Sequence, residues 1–146
     1  MASYPIVVAQ HRIEGHPRRT EHWNLVVMTS GDSARTFELV GNTDTFAYYN
    51  TVVDRFSQSQ MLRGGCQVGE IPPHRLGWLA SKLKEVQVIR NNLDFDCQTW
   101  IMNCIWLLKE TGIIYSCVNE RFIREELKKE NERWETAEDT VFERLQ

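Results

Sequence analysis

The sequence predicts an α+β domain in which strands come first and helices follow. Two observations carry that prediction. Up to about residue 70, short runs rich in β-branched and aromatic residues alternate with Gly-, Asn- and Ser-containing turn signals. After Pro72-Pro73 the apolar residues change to helical spacing. Strands grouped before helices give an antiparallel sheet packed against helices, not an alternating βαβ sheet.

Ile6-Val7-Val8-Ala9 reads as the first strand, and the polar stretch His11–Glu21, with Gly15 and Pro17, as a loop. Residues 22–29 form the clearest strand, ending at the turn Ser30-Gly31-Asp32-Ser33. Residues 34–40 then return as its hairpin partner. Gly41-Asn42-Thr43-Asp44 is a second turn. Phe46–Val53 is a further strand, and Gln60–Val68 another, broken at Gly64-Gly65. Pro72-Pro73 opens a helix whose Leu76, Leu79, Ala80 and Leu83 share one face, and Asn91-Asn92 ends that segment.

Residues 97–110 form the best-marked helix. Positions 97, 100, 101, 104, 105 and 108 make its apolar stripe, and Gly112 is placed to end it. From Glu120 onward the chain is helix-prone and charged, with opposite-charge pairs such as Glu125–Lys129. Phe122, Leu127, Trp134, Val141 and Leu145 would pack this C-terminal segment, 119–146, onto the domain or onto a second copy in a homodimer.

The 146 residues suit one domain, 1–146, with a core that needs no staples. A net charge of −3 and the lack of a basic stripe exclude a nucleic-acid partner, Arg18-Arg19 being too short to count. No apolar run approaches the roughly 18 residues that span a bilayer, so no membrane partner is expected. Met1-Ala2-Ser3-Tyr4-Pro5 carries no secretory pattern. Cys66, Cys97, Cys104 and Cys117 show neither CxxC nor dense spacing. They read as reduced thiols in a cytoplasmic protein with no metal and no cofactor.

Two residues stand out chemically. His22 opens the strand run His22-Trp23-Asn24-Leu25-Val26-Val27-Met28, where a rigid element can hold an imidazole. His11 and His16 fall in or near the loop, and His74 at a helix start. Cys97 follows Asp96, a plausible N-cap that puts the thiol at the first helical position. A helix N-terminus and a nearby imidazolium both favour thiolate, and the same backbone amides suit an oxyanion. The plainer reading makes Cys97 a small hydrophobe on the packing stripe. Cys104 reads that way, and Cys66 and Cys117 read as structural.

Glu38 alternates with Phe37 and Leu39, so it faces either solvent or a polar cleft. In a cleft it would orient an imidazole. Gln98 could assist an oxyanion from the helix start. Trp23 and Trp100 either wall an acyl pocket or pack in the core.

Glu21-His22-Trp23-Asn24-Leu25-Val26-Val27, together with Asp96-Cys97-Gln98-Thr99-Trp100, resembles the histidine strand and cysteine helix of the lecithin:retinol acyltransferase-like enzymes. These form a circularly permuted branch of the NlpC/papain-like fold. The likeness spans about residues 20–41 and 94–110, with His before Cys as in that branch. The Asn-Cys-Glu-His-Phe motif of those enzymes is kept only at its cysteine and an aromatic, and no long apolar tail is present. In overall layout the chain is also similar to uncharacterised fungal proteins with a His-Trp-Asn strand and a Cys-x-x-Trp helix, which bring no activity with them.

The resemblance implies a permuted papain-like core and Cys97–His22–Glu38 acyl chemistry on an amide, ester or thioester. Trp23, Gln98 and Trp100 would lie around a small-molecule or acyl substrate. Two alternatives stay open: a small-molecule cyclase or isomerase using a histidine acid/base, and a non-catalytic binding module.

Overall fold

Strands β1 (Tyr4–Arg12), β2 (Glu21–Ser30), β3 (Ser33–Val40), β4 (Ala47–Val53) and β5 (Leu62–Ile71) lie in the order β4-β3-β2-β1-β5. All neighbouring strands run antiparallel. Helices α1 (Leu76–Leu83), α2 (Cys97–Lys109), α3 (Glu120–Glu135) and α4 (Val141–Leu145) follow. The α+β class and the order of elements are thus those the sequence predicts. The computed structural model describes residues 3–13, 21–137 and 140–145. His16, Arg18 and Arg19 of the expected loop lie outside the described residues.

Alternation along the strands divides the interior in two. Val8, Trp23, Leu25, Phe37 and Leu39 face α1, α2 and α3, meeting Leu79, Trp100, Ile105 and Leu127. Val7, Ala9, Val26 and Ala34 face the other way, against Phe56 of a short 3-10 turn and Val141 and Phe142 of α4. The β2–β3 hairpin closes over two residues, with Gly31 at a left-handed φ of 53°.

Two strands run further than expected. β1 continues through Arg12, so His11 lies on a strand and pairs with His22 instead of sitting in a loop. β5 runs through Gly64-Gly65 as one strand, but its pairing with β1 shifts register there: Ala9 faces Gly65 while His11 faces Leu62. A Cβ on Gly64 would stand 2.6 Å from Cβ of Glu130, so that glycine lets α3 lie against the strand. Gly64 also holds a φ of 102°, which suits only glycine.

The C-terminal segment packs on its own chain. Ile123 and Leu127 are buried in the first core and Val141 in the second. Glu130, 1% exposed, accepts hydrogen bonds from the Val141 backbone N–H at 2.8 Å and from Arg133 at 2.9 Å. Among the described residues no helix is long and apolar enough to cross a membrane.

Candidate active site

The site forms where two neighbouring strands part. The β2–β3 ladder runs from Ser30–Ser33 to Leu25–Phe37. Beyond that pair β2 stays bonded to β1 as far as Glu21–Arg12, while β3 stays bonded to β4 as far as Val40–Ala47. Residues 21–24 and 38–40 therefore flank an opening in the sheet. His22 and Asn24 alternate with Trp23 and Leu25, which puts them on the face of Glu38. The opening lets His22 also meet Cys97, whose helix covers the opposite face.

α2 begins at Cys97 for a local reason. The Asp96 carboxylate accepts from the backbone N–H of Gln98 at 2.9 Å and of Thr99 at 3.0 Å, and the Thr99 hydroxyl accepts from the Asp96 N–H. This reciprocal cap puts the thiol in the first turn, as the sequence predicts. It also occupies the amides of residues 98 and 99, so neither is open to an oxyanion.

His22 joins the constellation. Its ring interacts with the Cys97 side chain, and its Nε2 lies 3.4 Å from Glu38 Oε1. Burial opposes a charge on the ring. Its interactions with Cys97 and Glu38 outweigh burial and lift the His22 pKa to about 9. Burial likewise works against ionised Glu38, but the bond and charge of His22 and the Asn24 amide leave the carboxyl below its usual range.

Two further groups extend this line, and sequence reasoning missed both. Asn24 Nδ2 donates to Glu38 Oε2 at 3.5 Å, and Asn24 Oδ1 lies 3.2 Å from His11 Nε2. Burial, then the neighbouring His22 charge, lowers the His11 pKa to about 4 against the Asn24 bond and Glu38. Asn24 was legible as the residue two along from His22, on the same strand face. His11 was legible only by requiring a partner as long as β2. His74 sits exposed at the start of the helical half, apart from this cluster.

The remaining residues singled out in the sequence have other surroundings. Trp23 is buried, donates its indole N–H to Gln10 at 3.1 Å and lies under the Arg124 guanidinium. Trp100 is buried beside the Tyr48 ring, in the core. Gln98 ties helices to sheet: its amide donates to the Glu21 carbonyl at 3.4 Å and accepts from Arg124 at 3.2 Å. Cys66 and Cys104 are buried, and burial pushes the Cys66 thiol up to about 12 and raises Cys104 as well. Cys117 is exposed.

A cleft of about 440 Å³ opens beside Glu38, Asn24 and His11 and is closed by Thr36, Thr51 and Phe56. Cys97 is 1% exposed and is not part of its lining.

No family model matches the chain, and no curated protein or solved structure matches it either.

Proposed function

We propose that this chain is a thiol-dependent hydrolase or acyltransferase with a permuted papain-like core, acting through Cys97, His22 and Glu38. The observation that carries this reading is that one imidazole interacts with a first-turn cysteine and lies 3.4 Å from a carboxylate. Cys97 Sγ, as thiolate, attacks the carbonyl carbon of an amide, ester or thioester. The protonated His22 gives its proton to the departing nitrogen, oxygen or sulfur. The resulting Cys97 thioester is then attacked by water or another nucleophile, whose proton returns to His22. Glu38 holds the ring and supports its positive charge.

The test is acyl trapping. Incubation with 4-nitrophenyl acetate should add one acetyl group to Cys97, detected by intact mass and peptide mapping. Cys97→Ala and His22→Ala should both abolish turnover, since nucleophile and base act as a unit. No acetyl on Cys97, or an active Cys97→Ala protein, overturns the reading.

A second reading is favoured by the cleft, which is lined by His11, Asn24 and Glu38 and by neither Cys97 nor His22, the latter adjoining it through Glu38. A small molecule bound there would be cyclised or isomerised by acid/base chemistry at His22. That reading predicts an active Cys97→Ala and an inactive His22→Ala.

A further inference from the structure

The cleft has a chemical character of its own. Glu38 is an acceptor for the Asn24 amide, so Asn24 Nδ2 points to the carboxylate and Oδ1 toward His11. A carbonyl oxygen only accepts, so His11 carries its proton on Nε2, and Nδ1 is left as the ring's acceptor. Among the described residues nothing donates to Nδ1. The ring is neutral at ordinary pH, held down by burial and by the charge of His22. It stands edge-on to Phe56, centroids 5.8 Å apart, so an apolar wall adjoins the polar floor.

Charges around the cleft balance. Glu38 faces the His22 imidazolium, and Asp54 shares the rim with Arg55. Such a site selects against neither sign strongly and offers no net field to an ion. It does offer acceptors and an aromatic wall, within a volume that suits a small ligand.

We infer that this cleft binds a small uncharged alcohol carrying an apolar group, with His11 Nδ1 accepting the ligand's hydroxyl hydrogen and Phe56 flanking the apolar part. In the proposed acyl chemistry this would be the site of the accepting nucleophile, so that role rests on the proposed function. The binding itself does not.

The experiment titrates benzyl alcohol into ¹⁵N-labelled full-length protein and follows backbone amides and His11 imidazole nitrogens, with benzylamine and benzoate as charged comparators. Saturable shifts are expected at His11, Asn24, Thr36 and Thr51, largest for the alcohol. His11→Phe keeps an aromatic ring beside Phe56 but removes the acceptor, and should weaken the dissociation constant at least tenfold. Thr51→Val, at the rim, should also weaken it and serves if His11→Phe does not fold. Cys97→Ala should bind as the wild type does. Retained binding there separates this inference from the acyl mechanism, which can then fail alone. Shifts that do not saturate or that lie away from the cleft overturn the inference. So do tighter binding of either charged comparator and unchanged affinity in the folded variant.

Discussion

His22 Nε2 stands 3.4 Å from Glu38 Oε1, and the second oxygen of that carboxylate takes the Asn24 amide at 3.5 Å. Both carboxylate oxygens are thus engaged, which fixes the plane of the group and aims it at the imidazole. The same ring also interacts with Cys97. Strand separation makes this possible, because a continuous β2–β3 ladder would keep His22 on one face and Cys97 on the other.

Removing the carboxylate charge should release His22. In Glu38→Gln the His22 pKa should fall from about 9 toward the ordinary 6.5, because a bond and a negative charge that raise it are weakened. Imidazole NMR titration reads this directly, and an unmoved value would contradict the assigned coupling. Acyl turnover should drop but persist, whereas His22→Ala abolishes it.

The two histidines should give opposite pH signatures in stability. His22 is raised in the folded state, so its contribution is whole below 6.5 and is lost as pH rises through about 9. His11 is lowered to about 4, so the unfolded chain takes up its proton first. The fold therefore loses stability as pH falls from 6.5 to about 4, by on the order of 3 kcal/mol if the full difference is expressed. Melting temperatures across pH should show both slopes. His11→Phe should flatten the acid limb and His22→Ala the alkaline one.

The α2 start should be separable from its core. Asp96→Ala removes acceptors for two backbone amides and should cost about 1 kcal/mol. Ile105→Ala, at a fully buried position, should cost roughly 2–5 kcal/mol. Urea unfolding measures both, and a negligible cost at Ile105 would mean that the helix stripe does not bear on the sheet.

Glu130 is a second structural test. Its buried carboxylate receives the Val141 and Gly65 amides and Arg133, so Glu130→Ala leaves two buried N–H groups and an arginine without that partner. The loss should be about 3 kcal/mol, as for other broken buried charge pairs. Hydrogen exchange should show α4 opening first.

Much of this arrangement was legible in the sequence because it is local. The Asp96 cap, the Cys97 helix start and the alternation of Glu38 with Phe37 and Leu39 depend on neighbours along the chain. What was hidden depends on pairing across the sheet. Nothing local says that β1 runs on to Arg12 and sets His11 opposite His22, because Gln10-His11-Arg12 has the polarity of a loop. Gly64-Gly65 reads as a strand break and is a shift in the β1–β5 register, with α3 lying against it. The apolar residues of 119–146 did not say which surface they would cover, and the chain's own core takes Ile123, Leu127 and Val141.

The most direct test of the account is site-resolved iodoacetamide labelling near pH 6, comparing Cys97 with Cys117 in the wild type and in His22→Ala. Cys97 is 1% exposed and Cys117 is open to solvent, so accessibility alone favours Cys117. If His22 activates the Cys97 thiol, the wild type should label Cys97 faster than Cys117. His22→Ala should reverse that order while leaving the Cys117 rate unchanged. Cys97 that stays unlabelled, or that reacts equally fast without His22, would contradict the account.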